Sequence, residues 1–186
     1  MIFNQHTNLE GQHAFLSASQ YHWLRYDNTK LKNVYLKHLA VERGTQLHEL
    51  AKTMITLGIK AEPKGETFDM YVNDAIDYKM TPEQVLYFSE NCFGTADAIS
   101  FRRKKLRIHD LKTGTIPAHM EQLKIYAALF CLEYKQKPKL ISTELRIYQA
   151  NDILMLEMDP EELDAIMERV VESDKIINKI NSEMEK

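Results

Sequence analysis

The stretch from Gly94 to Lys112 constrains this chain more than any other. Gly94 to Phe101 and Leu106 to Lys112 are both composed for strands, and only Arg102, Arg103, Lys104 and Lys105 separate them. Two strands so close in sequence form a hairpin. With the basic run as its loop Phe101 pairs with Leu106, and a two-residue turn at Arg103 and Lys104 gives the same register. Ile99 then faces Ile108, Asp97 faces Asp110 and Thr95 faces Lys112, all on one face because strand side chains alternate. Opposed residues have Cβ atoms about 4.5 to 5.5 Å apart, so two carboxylates there repel unless a cation joins them. Ile99, Phe101, Leu106 and Ile108 share the face and put the acids on its buried side, where an uncompensated charge is costly. Either the ammonium of Lys112 or a divalent ion can compensate. With Mg²⁺ or Mn²⁺ between the acids and a lysine beside them, the constellation suits phosphodiester hydrolysis. The plainer alternative is a surface hairpin in which Asp97, Asp110 and Lys112 neutralise one another.

The flanking sequence supplies helices. Ser19 followed by Gln20, Tyr21, Trp23 and Leu24 predicts a short capped helix with Trp23 and Leu24 available to a core. Leu47, Leu50, Ala51 and Met54 predict a helix from about Asn33 to Leu57 that ends near Gly58, with His48 on its other face. Residues 59 to 67, with Pro63 and Gly65, read as a loop; Phe68, Tyr71, Val72, Ala75 and Ile76 then return to helical spacing. Val85 to Glu90 reads as a strand ahead of the hairpin. Beyond the hairpin, Gly114 and Pro117 break the pattern, and Ala118 to Tyr134 is an almost wholly apolar helix made to pack on a sheet. Leu140 to Tyr148 and Ile153 to Met158 form a second hairpin around Ala150, Asn151 and Asp152. Asp159, Pro160, Glu161 and Glu162 open a last helix, with Leu163, Ile166, Val170, Ile177 and Ile180 as its apolar stripe. This order predicts an α/β or α+β domain spanning residues 1–186, with residues 158–186 as an acidic C-terminal helix.

At 186 residues and 44% hydrophobic content the chain can bury one sizeable core. Cys92 and Cys131 stand far apart without a CxxC pattern, so neither a disulfide framework nor a zinc site is expected. No run approaches the roughly 18 apolar residues of a membrane span, and no signal-peptide core is visible, so a soluble, cytoplasmic protein is the expectation. The net charge of -3 hides an uneven distribution. Residues 101 to 150 hold eleven Lys or Arg against four Asp or Glu, whereas residues 151 to 186 hold four against eleven. A basic middle segment can face a polyanion and an acidic tail a partner, although both also read as ordinary solvated faces.

Gly94-Thr95-Ala96-Asp97, Asp110-Leu111-Lys112, and then Gln122 and Tyr126 together resemble the PD-(D/E)XK nucleases, and the RecB-type branch in particular. Glu42-Arg43-Gly44-Thr45-Gln46-Leu47-His48-Glu49 looks like the branch's first motif. The resemblance covers roughly residues 17 to 148, including Ser17-Ala18-Ser19 with Trp23, and is nearest to small nucleases encoded by phages and prophages. It implies a restriction-endonuclease-like core, a central mixed sheet of about five strands flanked by helices. It also implies a metal centre of His48, Asp97, Asp110 and the Leu111 carbonyl, with Lys112 acting on the attacking water and Gln122 and Tyr126 supporting the site or touching DNA. The activity so implied is a Mg²⁺- or Mn²⁺-dependent exodeoxyribonuclease of phage or prophage DNA recombination. An endonuclease and a non-cutting DNA- or protein-binding module are the alternatives. Arg102, Arg103, Lys104 and Lys105, with Lys135, Lys137 and Lys139, are the expected phosphate contacts. Two cysteines cannot hold the iron-sulfur cluster of some relatives, and no phosphate-binding loop of an ATP motor is present. A homo-oligomer or a recombination partner is consistent with this picture.

Overall fold

The computed structural model describes residues 3–184. By its internal contacts the chain divides into two compact units, Met1–Arg43 and Gly44–Lys186. Residues 185 and 186, which the last expected helix includes, lie outside the described residues.

In the first unit, the expected capped helix at Ser19 is instead a run of 3-10 turns over Ala18–Arg25, interrupted at Gln20. Ser17 makes no capping bond. Its Oγ lies 3.1 Å from that of Ser19, and its carbonyl accepts from Trp23 Nε1 at 3.0 Å. Leu24 stays exposed rather than entering a core. The long helix α1 covers Asn28–Leu57, five residues more than its apolar spacing predicts. Asp27 sets the start, because its Oδ1 accepts the Lys30 amide at 2.7 Å and caps the first turn. The far end lies in the second unit. There Gly58 takes φ +67°, the Gly58 amide donates to Ile55 and the Ile59 amide to Met54, which is a Schellman ending.

The second unit is built on one five-stranded mixed sheet in the order β1-β2-β3-β4-β5. The strands are β1 (Thr81–Ser89), β2 (Cys92–Arg102), β3 (Lys105–Leu111), β4 (Ser142–Gln149) and β5 (Asp152–Glu157). All neighbours run antiparallel except β3 and β4, which are parallel and joined by a crossover through helix α3, Glu121–Glu133. Helix α2 (Thr67–Asp77) precedes the sheet and α4 (Pro160–Met184) follows it. The mixed sheet flanked by helices makes this an α/β fold. One sheet face packs Leu106, Ile108, Leu145 and Ile147 against Leu123, Ala127 and Phe130 of α3 and Leu163 of α4. The other packs Ala98, Leu111 and Tyr148 against Ala51 and Ile55 of α1 and Tyr71, Val72 and Ala75 of α2. The stripe of α4 leaves the core before its end: Ile177 and Ile180 are exposed, since the sheet they would cover has run out. None of the helices among the described residues is long and apolar enough to cross a membrane.

The two hairpins turn at Arg103-Lys104 and Ala150-Asn151, and all four residues have positive φ, between 50° and 61°. Such two-residue turns match the strand twist but favour Asn-Gly, so Arg103 and Lys104 hold a conformation that costs about 1 kcal/mol each. Their register is the expected one, with Phe101 on Leu106 and Ile99 on Ile108.

On the α2 side the sheet carries a charged layer. Glu144 accepts from Lys105 (2.7 Å), Arg107 (3.2 Å) and Arg146 (3.0 Å). Arg146 continues to Asp74 at 2.9 Å, which also accepts the Tyr148 hydroxyl at 2.6 Å. Burial pushes the Glu144 carboxyl up, but the Lys105 hydrogen bond and the charges of Arg146, Lys105 and Arg107 outweigh it and hold the group below its ordinary value.

Two consequences are measurable by chemical denaturation. Replacing Arg103-Lys104 with Asn-Gly raises stability by about 1 kcal/mol. Glu144 contributes stability that is present above its unfolded pKa of 4.5 and is lost as pH falls below it. Glu144→Gln therefore costs about 2 to 3 kcal/mol at pH 7 and flattens the acid limb of the stability curve; an unchanged limb rejects this assignment.

Candidate active site at the open end of the central hairpin

The β2–β3 ladder keeps its register as far as Ala98 opposite His109 and stops there. Neither Asp97–Asp110 nor Thr95–Lys112 is a ladder pair, because like charges directly opposite are destabilising and the strands part before that point. Alternation breaks at the same place: Ala96 belongs to the α3-side core, Ala98 to the α2-side core, and Ile99 to the α3 side again. The expected single face for Asp97, Ile99 and Phe101 is thus interrupted. Asp97 turns to accept the Leu111 backbone N–H on Oδ2 at 2.9 Å. His48, brought in by α1, sets Nδ1 3.5 Å from that same oxygen.

Asp110 is 2% exposed. Lys112 Nζ lies 3.0 Å from both of its oxygens, yet only Oδ1 is aligned for a hydrogen bond, and Oδ2 is buried without one. Burial pushes both carboxyls up; Asp110 adds to the rise at Asp97, while the Lys112 charge and hydrogen bond oppose it at Asp110. Two acids thus sit in a place that favours their neutral forms, and a divalent cation would reverse that preference. One imidazole and two carboxylates, one of them with a buried oxygen that makes no hydrogen bond, are a donor set that such a cation fits.

Lys112 also donates to Gln122 Oε1 at 3.1 Å, and Gln122 Nε2 donates to the Tyr126 hydroxyl at 2.9 Å. Asp110, Lys112, Gln122 and Tyr126 therefore form one chain from β3 to α3. Gly94 makes room for it, since a Cβ at that position would lie 2.8 Å from Tyr126 Cε1. Gly44, in the helix that carries His48, has an equal constraint: its Cβ would lie 2.9 Å from Thr113 Oγ1. The glycines of both motifs are therefore close-packing positions, not turns.

Two residues outside the sequence reading belong here. Glu83, His48 and Asp97 offer ligand atoms that all lie within 4.8 Å of one another. Asn91 marks the β1–β2 turn, and extending β1 back from Val85 by two residues would have brought Glu83 opposite Asp97. Gln149, at the end of β4, donates to the Gly114 and Ile116 carbonyls (2.7 Å each) and accepts from the Ala118 amide (3.0 Å). It clasps the loop between Lys112 and Gln122. By contrast, Arg102 to Lys105 lie at the other end of the hairpin, about five residues or 17 Å of strand from Asp110. Lys105 is engaged by Glu144 and Glu157. Lys135, Lys137 and Lys139 precede β4, whose first residue, Ser142, pairs with Lys105 at that same end.

Gly94→Ala is expected to push Tyr126 aside and break its bond to Gln122, at a cost of about 1 to 3 kcal/mol in unfolding free energy. A crystal structure of the variant with Tyr126 and Gln122 in place would refute the packing role.

No curated protein and no solved structure matches this chain. A family profile matches residues 71–183, which take in Glu83, Asp97, Asp110, Lys112, Gln122 and Tyr126 but not His48. More than half of the chain is covered, and the protein belongs to the DUF2800 family, described as proteins of unknown function.

Proposed function

We propose that this protein is a metal-dependent nuclease of the PD-(D/E)XK type that hydrolyses DNA phosphodiester bonds, an exodeoxyribonuclease by its resemblance to the RecB-type branch. The observation that carries the reading is the convergence of His48 from α1, Asp97 from β2, Asp110 from β3 and Lys112 just beyond β3 at the open end of one hairpin. A mixed five-stranded sheet flanked by helices is also what a restriction-endonuclease-like core requires.

His48, Asp97, Asp110 and the Leu111 carbonyl are the groups that would hold Mg²⁺ or Mn²⁺. When bound, such an ion supplies Lewis-acid chemistry, making water more acidic and offsetting charge on a phosphoryl group. The chain's own part lies in Lys112. Its ammonium has three N–H donors; Asp110 Oδ1 and Gln122 Oε1 take two, leaving the third for an attacking water or a phosphoryl oxygen. Gln122, fixed by Tyr126, keeps the ammonium from folding back fully onto Asp110, so its direction is set before substrate arrives. The basic turn and the lysines after α3 would meet DNA well away from the cut, as positioning contacts to phosphates. Free Cys92 and Cys131 accord with a reducing cytoplasm as the working compartment.

Linear and covalently closed circular DNA, each incubated with Mg²⁺ or Mn²⁺, test the reading. Loss of linear DNA alone supports the exonuclease, loss of both supports an endonuclease, and survival of both rejects catalysis. Asp110→Ala and Lys112→Ala are expected to lower cutting at least about a hundredfold with the circular dichroism spectrum unchanged, and full activity in either would sink the proposed centre.

A further inference from the structure

The acid that the motifs leave out stands beside the proposed centre on the neighbouring strand. β1 pairs with β2 through Pro82 on Ala98 and Gln84 on Ala96, so Glu83 falls opposite Asp97, and that is the position where the ladder skips a pair. Glu83 takes φ +51° there. The irregularity sits between the two acids, as at Asp97 and Asp110, where a regular ladder would hold like charges face to face. No lysine or arginine pairs with Glu83 or Asp97 among the described ion pairs, whereas Asp110 has Lys112. The negative charge therefore accumulates on the side of His48.

Ligand atoms of one ion bound at about 2.1 Å are at most about 4.2 Å apart. The His48, Glu83 and Asp97 atoms, all within 4.8 Å, need to close by about half an ångström at most to meet that span. At the same end of the hairpin the buried Asp110 Oδ2 makes no hydrogen bond and has the Lys112 ammonium, 3.0 Å away, as its charge partner.

We propose that Glu83 is a metal ligand, so that His48, Glu83 and Asp97 form a three-side-chain seat that prefers an imidazole-accepting divalent transition ion, with Mn²⁺ as its probe, over Mg²⁺. The inference deepens the nuclease reading and rests on it only for the presence of a cation at this end of the hairpin. Mg²⁺ keeps several waters and favours oxygen donors, whereas a seat of three protein side chains, one of them an imidazole, suits Mn²⁺ better. Asp110 is then left to hold Lys112, whose Nζ lies 3.0 Å from each of its oxygens.

Calorimetric titration of the full chain with MnCl₂ and MgCl₂, without DNA, tests this. Wild type is expected to bind Mn²⁺ at least about tenfold more tightly than Mg²⁺. Glu83→Gln is expected to weaken Mn²⁺ at least about tenfold, with a metal-free melting temperature equal to or above that of wild type because a repulsion has gone. If the amide variant fails to fold, Glu83→Asp keeps the charge but withdraws the oxygens by one methylene, and the same loss is expected. Undiminished Mn²⁺ affinity in a folded Glu83 variant, with loss in Asp97→Asn, overturns the role of Glu83 and leaves the nuclease reading intact. Tight Mn²⁺ binding through Glu83 in a protein that cuts no DNA leaves the seat standing and rejects the nuclease. Equal affinity for the two ions overturns the stated preference.

Discussion

Carboxylates inside a sheet dictate the form of everything around them. Asp97 and Asp110 lie where a regular hairpin would press them together, and the strands respond by ending their ladder at Ala98 and His109. The freed backbone is not wasted: the Leu111 N–H that no longer serves the ladder on that side is taken by Asp97. β1 behaves alike at Glu83. Sheet pairing thus gives way on both sides of Asp97, and the opening admits the imidazole of His48. An irregularity of this kind is where a β-structure gains reach for its side chains, at the expense of pairing.

The two sides of the sheet divide the remaining work. On the α2 side, charge is satisfied in place: Glu144 gathers Lys105, Arg107 and Arg146, and Asp74 gathers Arg146 and Tyr148. His109, buried beside Tyr148, is held far below its ordinary value, to about 3, by burial and by the charge of Arg146, so it is a neutral member of that layer. On the α3 side, the polar chain from Asp110 to Tyr126 ends in half-exposed groups that still have a donor to offer. Saturated pairing stiffens a scaffold; a donor left over makes a site. The same five strands carry both.

The parts of this arrangement that follow from side-chain periodicity were legible in the sequence. The hairpin register is one, because only one alignment of Phe101 with Leu106 closes over a short basic turn; the Asp159-Pro160 helix start is another, with Asp159 Oδ1 accepting the Glu161 amide at 2.9 Å. The end of α1 at Gly58 is a third. Illegible were the places where charge overrode periodicity. Alternation alone put Asp97 with Ile99 and could not foresee the break between them. A strand read as starting at Val85 left out Glu83, whereas β1, an edge strand that tolerates Pro82, begins at Thr81. The helix at Ser19 failed for a different reason: its hydroxyl found Ser17 rather than a backbone amide, so the capping signal had no helix to cap.

Gln149 carries a wider meaning than its three hydrogen bonds. The peptide joining Lys112 to Gln122 is held from β4, a strand that contributes no acid and no lysine to the centre. The hairpin of β2 and β3 is consequently not a portable cassette: transplanted to another sheet it would bring Asp97, Asp110 and Lys112 but leave Gln122 unanchored. The smallest unit that can be grafted, permuted or recombined with its geometry intact runs from β1 through the end of β4, together with the segment of α1 that bears His48.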